Sequence, residues 1–169
     1  MKQIQLTKCT FAIVDDTDYD YLNQWKWHNS NGYAKRKTRI DGNKWKTVNM
    51  HRIIWEKHNG KIPDCMSIDH IDRNPLNNQL SNLRLADKQK NMANIEKFTK
   101  RQYTSKYKGV ARVKSYNGFR YVVDIKNRRT GARVTKYFPY TNDGEIQAAK
   151  WYDKKAIEIF GEFACTNFN

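Results

Sequence analysis

Residues 68–91 read IDHIDRNPLNNQLSNLRLADKQKN, and this segment decides how the first half of the chain folds. An Asp-His pair, Asp69 and His70, is followed by a turn-rich stretch over 72–78, then by Leu80, Leu83 and Leu85 leading into an expected helix from Asp87. Asn and Asp tolerate left-handed backbone and bond to their own main chain, so Asp72, Asn74, Asn77 and Asn78 read as turn formers rather than ligands. Such a turn lets polar side chains distant in sequence converge.

Those side chains match the needs of phosphodiester hydrolysis: water made nucleophilic, a cation against the phosphate charge, and stabilisation of the departing 3′ oxygen. His70 titrates near neutral pH and is the candidate base, with the Asn82 carboxamide as the group that orients its ring. Asp69 and Asn91 each offer an oxygen to a hard cation. With no thiolate or second imidazole at the matching positions, a divalent metal is expected, Mg²⁺ first and Mn²⁺ as the alternative, over zinc. Two further residues are open to two readings. His51 either approaches the phosphate or is hydrogen-bonded structurally, and Arg84 either contacts phosphate or occupies an exposed strand position between Leu83 and Leu85.

Working outward, residues 11–14 read as a strand, and Asp15 and Asp16 can cap a short helix reaching Leu22. Residues 32–48 form a hairpin signal, because Asp41-Gly42 tolerates the positive φ values of tight turns. Residues 51–58 read as a helix with Ile54 and Trp55 on its apolar side and Asn59-Gly60 as its stop. Downstream, IEKFTKRQYTSK (95–106) has four basic residues and few aliphatics, which suits a connector. Three β-branched or aromatic runs, 109–114, 120–126 and 133–138, are separated by turn clusters and predict an antiparallel meander. Asp143 can cap a helix to about residue 160, with Ile146, Ala149, Tyr152, Ala156 and Ile159 on one face. Trp151, Tyr152, Phe160, Phe163 and Phe168 are assigned to the small core.

Charge points the same way. The chain carries 32 Lys and Arg against 17 Asp and Glu, a net +15, which indicates a polyanionic partner. Residues 1–96 are net +5 and residues 97–142 net +12, so the second half holds most of the excess. No apolar run approaches the roughly 20 residues a bilayer span requires, and the opening residues lack a long apolar stretch. A cytoplasmic, non-secreted protein is expected, with no membrane role. Cys9, Cys65 and Cys165 are far apart and read as free thiols.

The string MHRIIWEKHNGKIPDCMSIDHIDRNPLNNQLSNLRLADKQKN resembles the HNH homing endonucleases of phages and mobile introns. With the preceding WKWHNSNGYAKRK the likeness spans about half the chain. It implies a ββα-metal (His-Me finger) unit with Asp69 and Asn91 as metal ligands, His70 as general base and Asn82 as the residue orienting it. Asn91 stands where many relatives carry His. Separately, residues 105–168 resemble the APETALA-two, or ethylene-response-factor, DNA-binding domain. The resemblance rests on YKGV at 107–110, the Ala148 to Asp153 pattern and the FGEFA ending. It implies DNA contacts from the sheet, with Arg112, Lys114, Arg120, Arg128, Arg129 and Arg133 as candidates.

The expectation is therefore an α+β chain in two parts. An HNH nuclease domain over 1–94, its core at about 50–94, is followed by a basic linker over 95–104. A DNA-binding domain over 105–169 follows, a three-stranded antiparallel sheet packed on one helix. The expected function is site-specific DNA cleavage by a homing or phage mobile-element endonuclease, a monomer acting on double-stranded DNA with one divalent cation. Two rivals are a DNA-binding transcriptional regulator without catalysis and a basic RNA-binding protein.

Overall fold

A computed structural model describes residues 1–7, 9–96 and 104–168. The chain divides into two compact units, Met1–Lys88 and Gln89–Asn169. The expected linker over 95–104 lies mostly outside the described residues.

The first unit opens with an antiparallel pair, β1 (Lys2–Gln5) and β2 (Phe11–Val14), followed by helix α1 (Asp16–Leu22). A second sheet contains β3 (His28–Ser30), β4 (Tyr33–Asp41) and β5 (Lys44–Asn49), with β4 in the middle. Helix α2 (Met50–Asn59) leaves β5 directly and ends at Gly60, whose φ of +78° suits glycine. The pair β6 (Ser67–His70) and β7 (Leu83–Ala86) completes the unit. Its core joins Ile4, Leu6, Val14, Leu22, Trp27, Met50, Ile54, Ile68 and Leu83. Trp27 is fully buried and donates its indole N–H to the Leu22 carbonyl at 2.8 Å, so its one polar atom is satisfied.

Two carboxylates tie this unit together. Asp18, 1% exposed, accepts from Lys57 Nζ at 2.7 Å and meets His58 Nε2 at 2.9 Å, joining α1 to α2. Asp15 occupies the N-cap of α1 but forms no side-chain cap; its carboxylate instead accepts from Leu80 N (2.7 Å) and Gln79 Nε2 (3.0 Å). The expected local cap gives way to a long-range bond, which holds the far end of the 71–82 loop. Backbone bonds from Ile13 N to Leu76 O and from Asn78 N to Ile13 O, both 2.8 Å, fasten the same loop to β2.

The second unit begins in helix α3 (Lys88–Asn94) and continues with β8 (Val110–Ser115), β9 (Gly118–Lys126), β10 (Arg133–Pro139) and α4 (Asn142–Phe160). The strands form one antiparallel sheet with β9 central. Val110, Tyr121, Val123, Ile125 and Phe138 face Ala148, Ala149, Tyr152 and Ala156 of α4. The cap of α4 is Thr141, which accepts from Gly144 N at 3.0 Å, rather than Asp143. Gly109 has φ +75°, and a Cβ there would lie 2.0 Å from the Tyr152 ring, so helix and strand approach too closely for any other residue. Of the residues assigned to the small core, Tyr152 and Phe163 are buried, Trp151 and Phe160 pack against it partly exposed, and Phe168 is 38% exposed beside Tyr107.

The separation after Lys88 rather than after residue 94 has a physical reason. Lys108 Nζ donates to the carbonyls of Ala93 (2.6 Å) and Ile95 (2.7 Å), and Cys165 N donates to Ala93 O. Gln89 accepts from Arg128 N at 2.9 Å, and the Lys90 ammonium lies over the Phe163 ring at 4.7 Å. Helix α3 is thereby anchored in the second unit.

Candidate active site

The β6–β7 ribbon sets Asp69 opposite Arg84 and His70 opposite Leu83. Asp69 and His70 are each 5% exposed. Arg84 is neither a solvent-facing strand residue nor turned away from the site: its Nε donates to Asp69 Oδ2 at 2.9 Å, a largely buried, charge-assisted bond that orients the carboxylate.

The 71–82 loop is held by its own polar side chains. Asn82 Oδ1 accepts from Asp72 N at 3.0 Å, while Asn82 Nδ2 donates to Asp72 Oδ1 at 2.9 Å and to Asn77 O at 2.8 Å. Asn77 Nδ2 reaches Asp72 Oδ2 at 2.7 Å, and Asn74 N reaches Asp72 Oδ1 at 2.8 Å. Burial raises the Asp72 pKa, but these donors together with nearby His70 outweigh it and hold the carboxyl below its ordinary value. Asn82 therefore braces the loop that leaves His70; its hydrogen bonds go to Asp72 and Asn77, not to the imidazole.

The carboxamide beside His70 belongs to Asn78, a residue 1% exposed and read from sequence as a turn former. Asn78 Nδ2 donates to Leu76 O at 3.1 Å, and its buried oxygen favours the protonated imidazole without reaching hydrogen-bond geometry. Two more rings complete the surroundings. His51 meets His70 edge-on at 5.2 Å between centroids, and Tyr33 lies 5.5 Å from His51 and 6.1 Å from His70. Burial lowers the His70 pKa, against the opposing pull of Asn78, Asp72 and Asp69, and so favours the neutral imidazole a base requires. His51 is pushed down to about 3, first by burial and then by His70, Arg52 and Lys35, which keeps it neutral. It packs between the Tyr33 and His70 rings. Neither Tyr33 nor Asn78 is marked as a site residue by motif or spacing in the sequence. Tyr33 could have been suspected, since strand alternation puts it on the face opposite buried Ala34.

Asp69 presents carboxylate oxygens, one of them bonded to the Arg84 guanidinium, and His70 follows it in the chain. Among the described residues, no three His, Cys, Asp or Glu side chains gather as a metal cluster. A site with few protein oxygens fits a hard cation that takes its remaining ligands from phosphate and water. Asp69 has a carboxylate oxygen to offer such a cation. Asn91 lies on α3, in the second unit.

The candidate DNA-contacting residues are all exposed, but the register splits them between faces. Arg112 opposes Tyr121, which is buried against α4, so Arg112 and Lys114 lie on the helix side of the sheet. There the Arg112 guanidinium stacks 4.6 Å above the Phe119 ring. Arg120 opposes Val113, and Arg133 opposes Lys126, which puts both on the open face. Arg133 is engaged by Asp124, Nε to Oδ1 at 2.7 Å. Arg128 and Arg129 lie in the β9–β10 turn.

A model described as HNH endonuclease matches residues 48–93. The chain is 37% identical over 162 residues to "Uncharacterized HNH endonuclease L560" of Acanthamoeba polyphaga mimivirus, covering 95% of this chain and 76% of that protein. It is 32% identical over 120 residues to "Protein 3.8" of Escherichia phage T7, covering 71% and 91%. No solved structure matches. The chain belongs to the HNH endonuclease family and is a DNA-cleaving enzyme.

Proposed function

We propose that this enzyme is a site-specific endonuclease of a phage or mobile element, in which the first unit hydrolyses the phosphodiester and the second supplies target affinity. The observation that carries the catalytic part is buried, neutral-leaning His70 adjacent in sequence to Asp69, with Asp72 and Asn78 beside the ring. His70 takes a proton from water as the water oxygen attacks phosphorus and the bond to the 3′ oxygen breaks. The imidazolium that forms is favoured by Asn78, Asp72 and Asp69. Asp69, oriented by Arg84, would hold a divalent cation, with Mg²⁺ the first candidate; Asn91 as second ligand rests on the sequence resemblance. When bound, the cation neutralises phosphate charge and stabilises the departing oxygen.

The second unit acts as an APETALA-two-like DNA-binding module. Its open face offers Arg120, Lys126 and Arg133 to duplex DNA, and its turn offers Arg128 and Arg129. The viral and phage origin of the relatives supports the mobile-element role. Sequencing the ends produced from phage genomic DNA with Mg²⁺ tests specificity. One or a few cut positions are expected, and cuts scattered without preference would overturn site-specificity.

A further inference from the structure

The excess charge of residues 97–142 draws attention to the second unit, yet the first carries its own concentrated cationic element. Within β4 and β5, residues 33–49 hold Lys35, Arg36, Lys37, Arg39, Lys44 and Lys46 against a single acid, Asp41. The register sorts these residues. Lys35 opposes Asn49, Lys37 opposes Thr47 and Arg39 opposes Trp45, so these side chains share one face with Tyr33. The other face begins with buried Ala34 and continues with Arg36, whose guanidinium stacks 4.2 Å above Trp25 and 5.6 Å from Trp27. The Ala34–Arg36 stretch of that face is fixed against the core, while on the outward Tyr33–Lys35–Lys37–Arg39 face Lys37 and Arg39 are exposed and Lys35 half-buried.

The outward face starts beside the active-site rings, because Tyr33 packs against both His51 and His70 and the Lys35 ammonium lies 5.6 Å from the Tyr33 ring. It ends at Trp45, 62% exposed on the strand opposite Arg39. Among the described residues, Lys35, Lys37, Lys44 and Lys46 enter no ion pair with a carboxylate. Same-face positions along a strand stand about 6.8 Å apart, close to two base-pair rises of about 3.4 Å, so a row of cations can follow a phosphate backbone.

We infer that the outward face of β4–β5 is a DNA-backbone rail, on which Lys35, Lys37 and Arg39 engage phosphates along the backbone on one side of the cut, with Trp45 at its far end. This rests on the reading of the protein as a DNA nuclease. It assigns the first unit an affinity of its own, running outward from the site of cleavage.

The test is the salt dependence of duplex binding by the full chain in chelator, compared with Lys37→Gln/Arg39→Gln. Both residues are exposed and outside the catalytic cluster, so folding is expected to persist, as circular dichroism will show. Each phosphate contact contributes about 0.9 to the slope of log K against log salt, so the double variant should flatten it by about 1.8. That change also corresponds to a loss of more than 10-fold in affinity near 0.1 M salt. Lys150→Gln/Lys154→Gln, which removes the same charge from the exposed side of α4, should leave the slope within about 0.5 of the parent's. Equal flattening by both variants would reduce the effect to net charge and overturn the rail. An unchanged slope in the hairpin variant, with the parent binding normally, would overturn it too. Failure of the parent itself to bind duplex DNA would overturn the rail and the nuclease reading together.

Discussion

Replacing Asn82 with alanine removes three hydrogen bonds at once: one accepted from Asp72 N and two donated to Asp72 Oδ1 and Asn77 O. Neutral bonds contribute about 1 kcal/mol net, and the one to the carboxylate about 1.5–3 kcal/mol. Asp72 keeps its bonds from Asn74 and Asn77 and is open to water, so part of that is recovered. A destabilisation of about 2–3 kcal/mol remains. With a urea m-value near 2 kcal/mol/M, the midpoint of the first unit should fall by about 1 M. Cleavage should fall as well, because the loop that leaves His70 loses its brace. Asn82→Asp should be no milder at neutral pH, since it sets a second carboxylate against Asp72. A midpoint unchanged by Asn82→Ala, with the pH profile of cleavage displaced, would refute this reasoning and return Asn82 to the role of orienting His70 directly.

Other consequences can be measured on single variants. His51→Phe keeps a buried ring against His70 and should retain cleavage within about 10-fold, whereas His51→Ala opens a cavity and should lose about 2–4 kcal/mol of stability; loss of cleavage in a stably folded His51→Phe would show that the imidazole itself acts. Asp18→Asn should cost about 2–3 kcal/mol, less than the roughly 3–5 kcal/mol of a fully buried pair, because Lys57 is 40% exposed. Burial raises the Asp18 pKa, but Lys57 and His58 outweigh it and bring it below 3.8. Its stabilisation is therefore present above about pH 4 and lost as pH falls through the lowered value, and the variant should show a flatter acid limb in urea unfolding. Gly109→Ala, forced against Tyr152 at positive φ, should unfold the second unit while the first keeps its midpoint; limited proteolysis would report which unit is cut first.

Much of the fold can be read from local chemistry. Asp41-Gly42 yields the hairpin, the three- and four-residue spacing of α4 yields its buried face, and the turn clusters separate β8, β9 and β10. What resists reading is what depends on partners far along the chain. Asp15 looks like a helix cap but bonds Leu80, 65 residues away. Strand alternation correctly groups Arg112 with Lys114 and Arg120 with Lys126, but only the register shows that the two pairs occupy opposite faces. Asn78 and Asn82 are chemically the same, and nothing local says which approaches the imidazole. Helix α3 follows the Asp-His segment closely in sequence, yet Lys108 and Cys165 anchor it to the second unit.

The catalytic role of His70 is most directly tested by incubating supercoiled plasmid and phage DNA with the full chain and with His70→Ala. Each is run in Mg²⁺, in Mn²⁺ and in chelator, with duplex binding measured alongside. Nicked or linear product from the parent with metal, none with chelator, and none from a variant that still binds DNA is the expected result. Cleavage by His70→Ala at the parent's rate would contradict the assignment of His70 as the base.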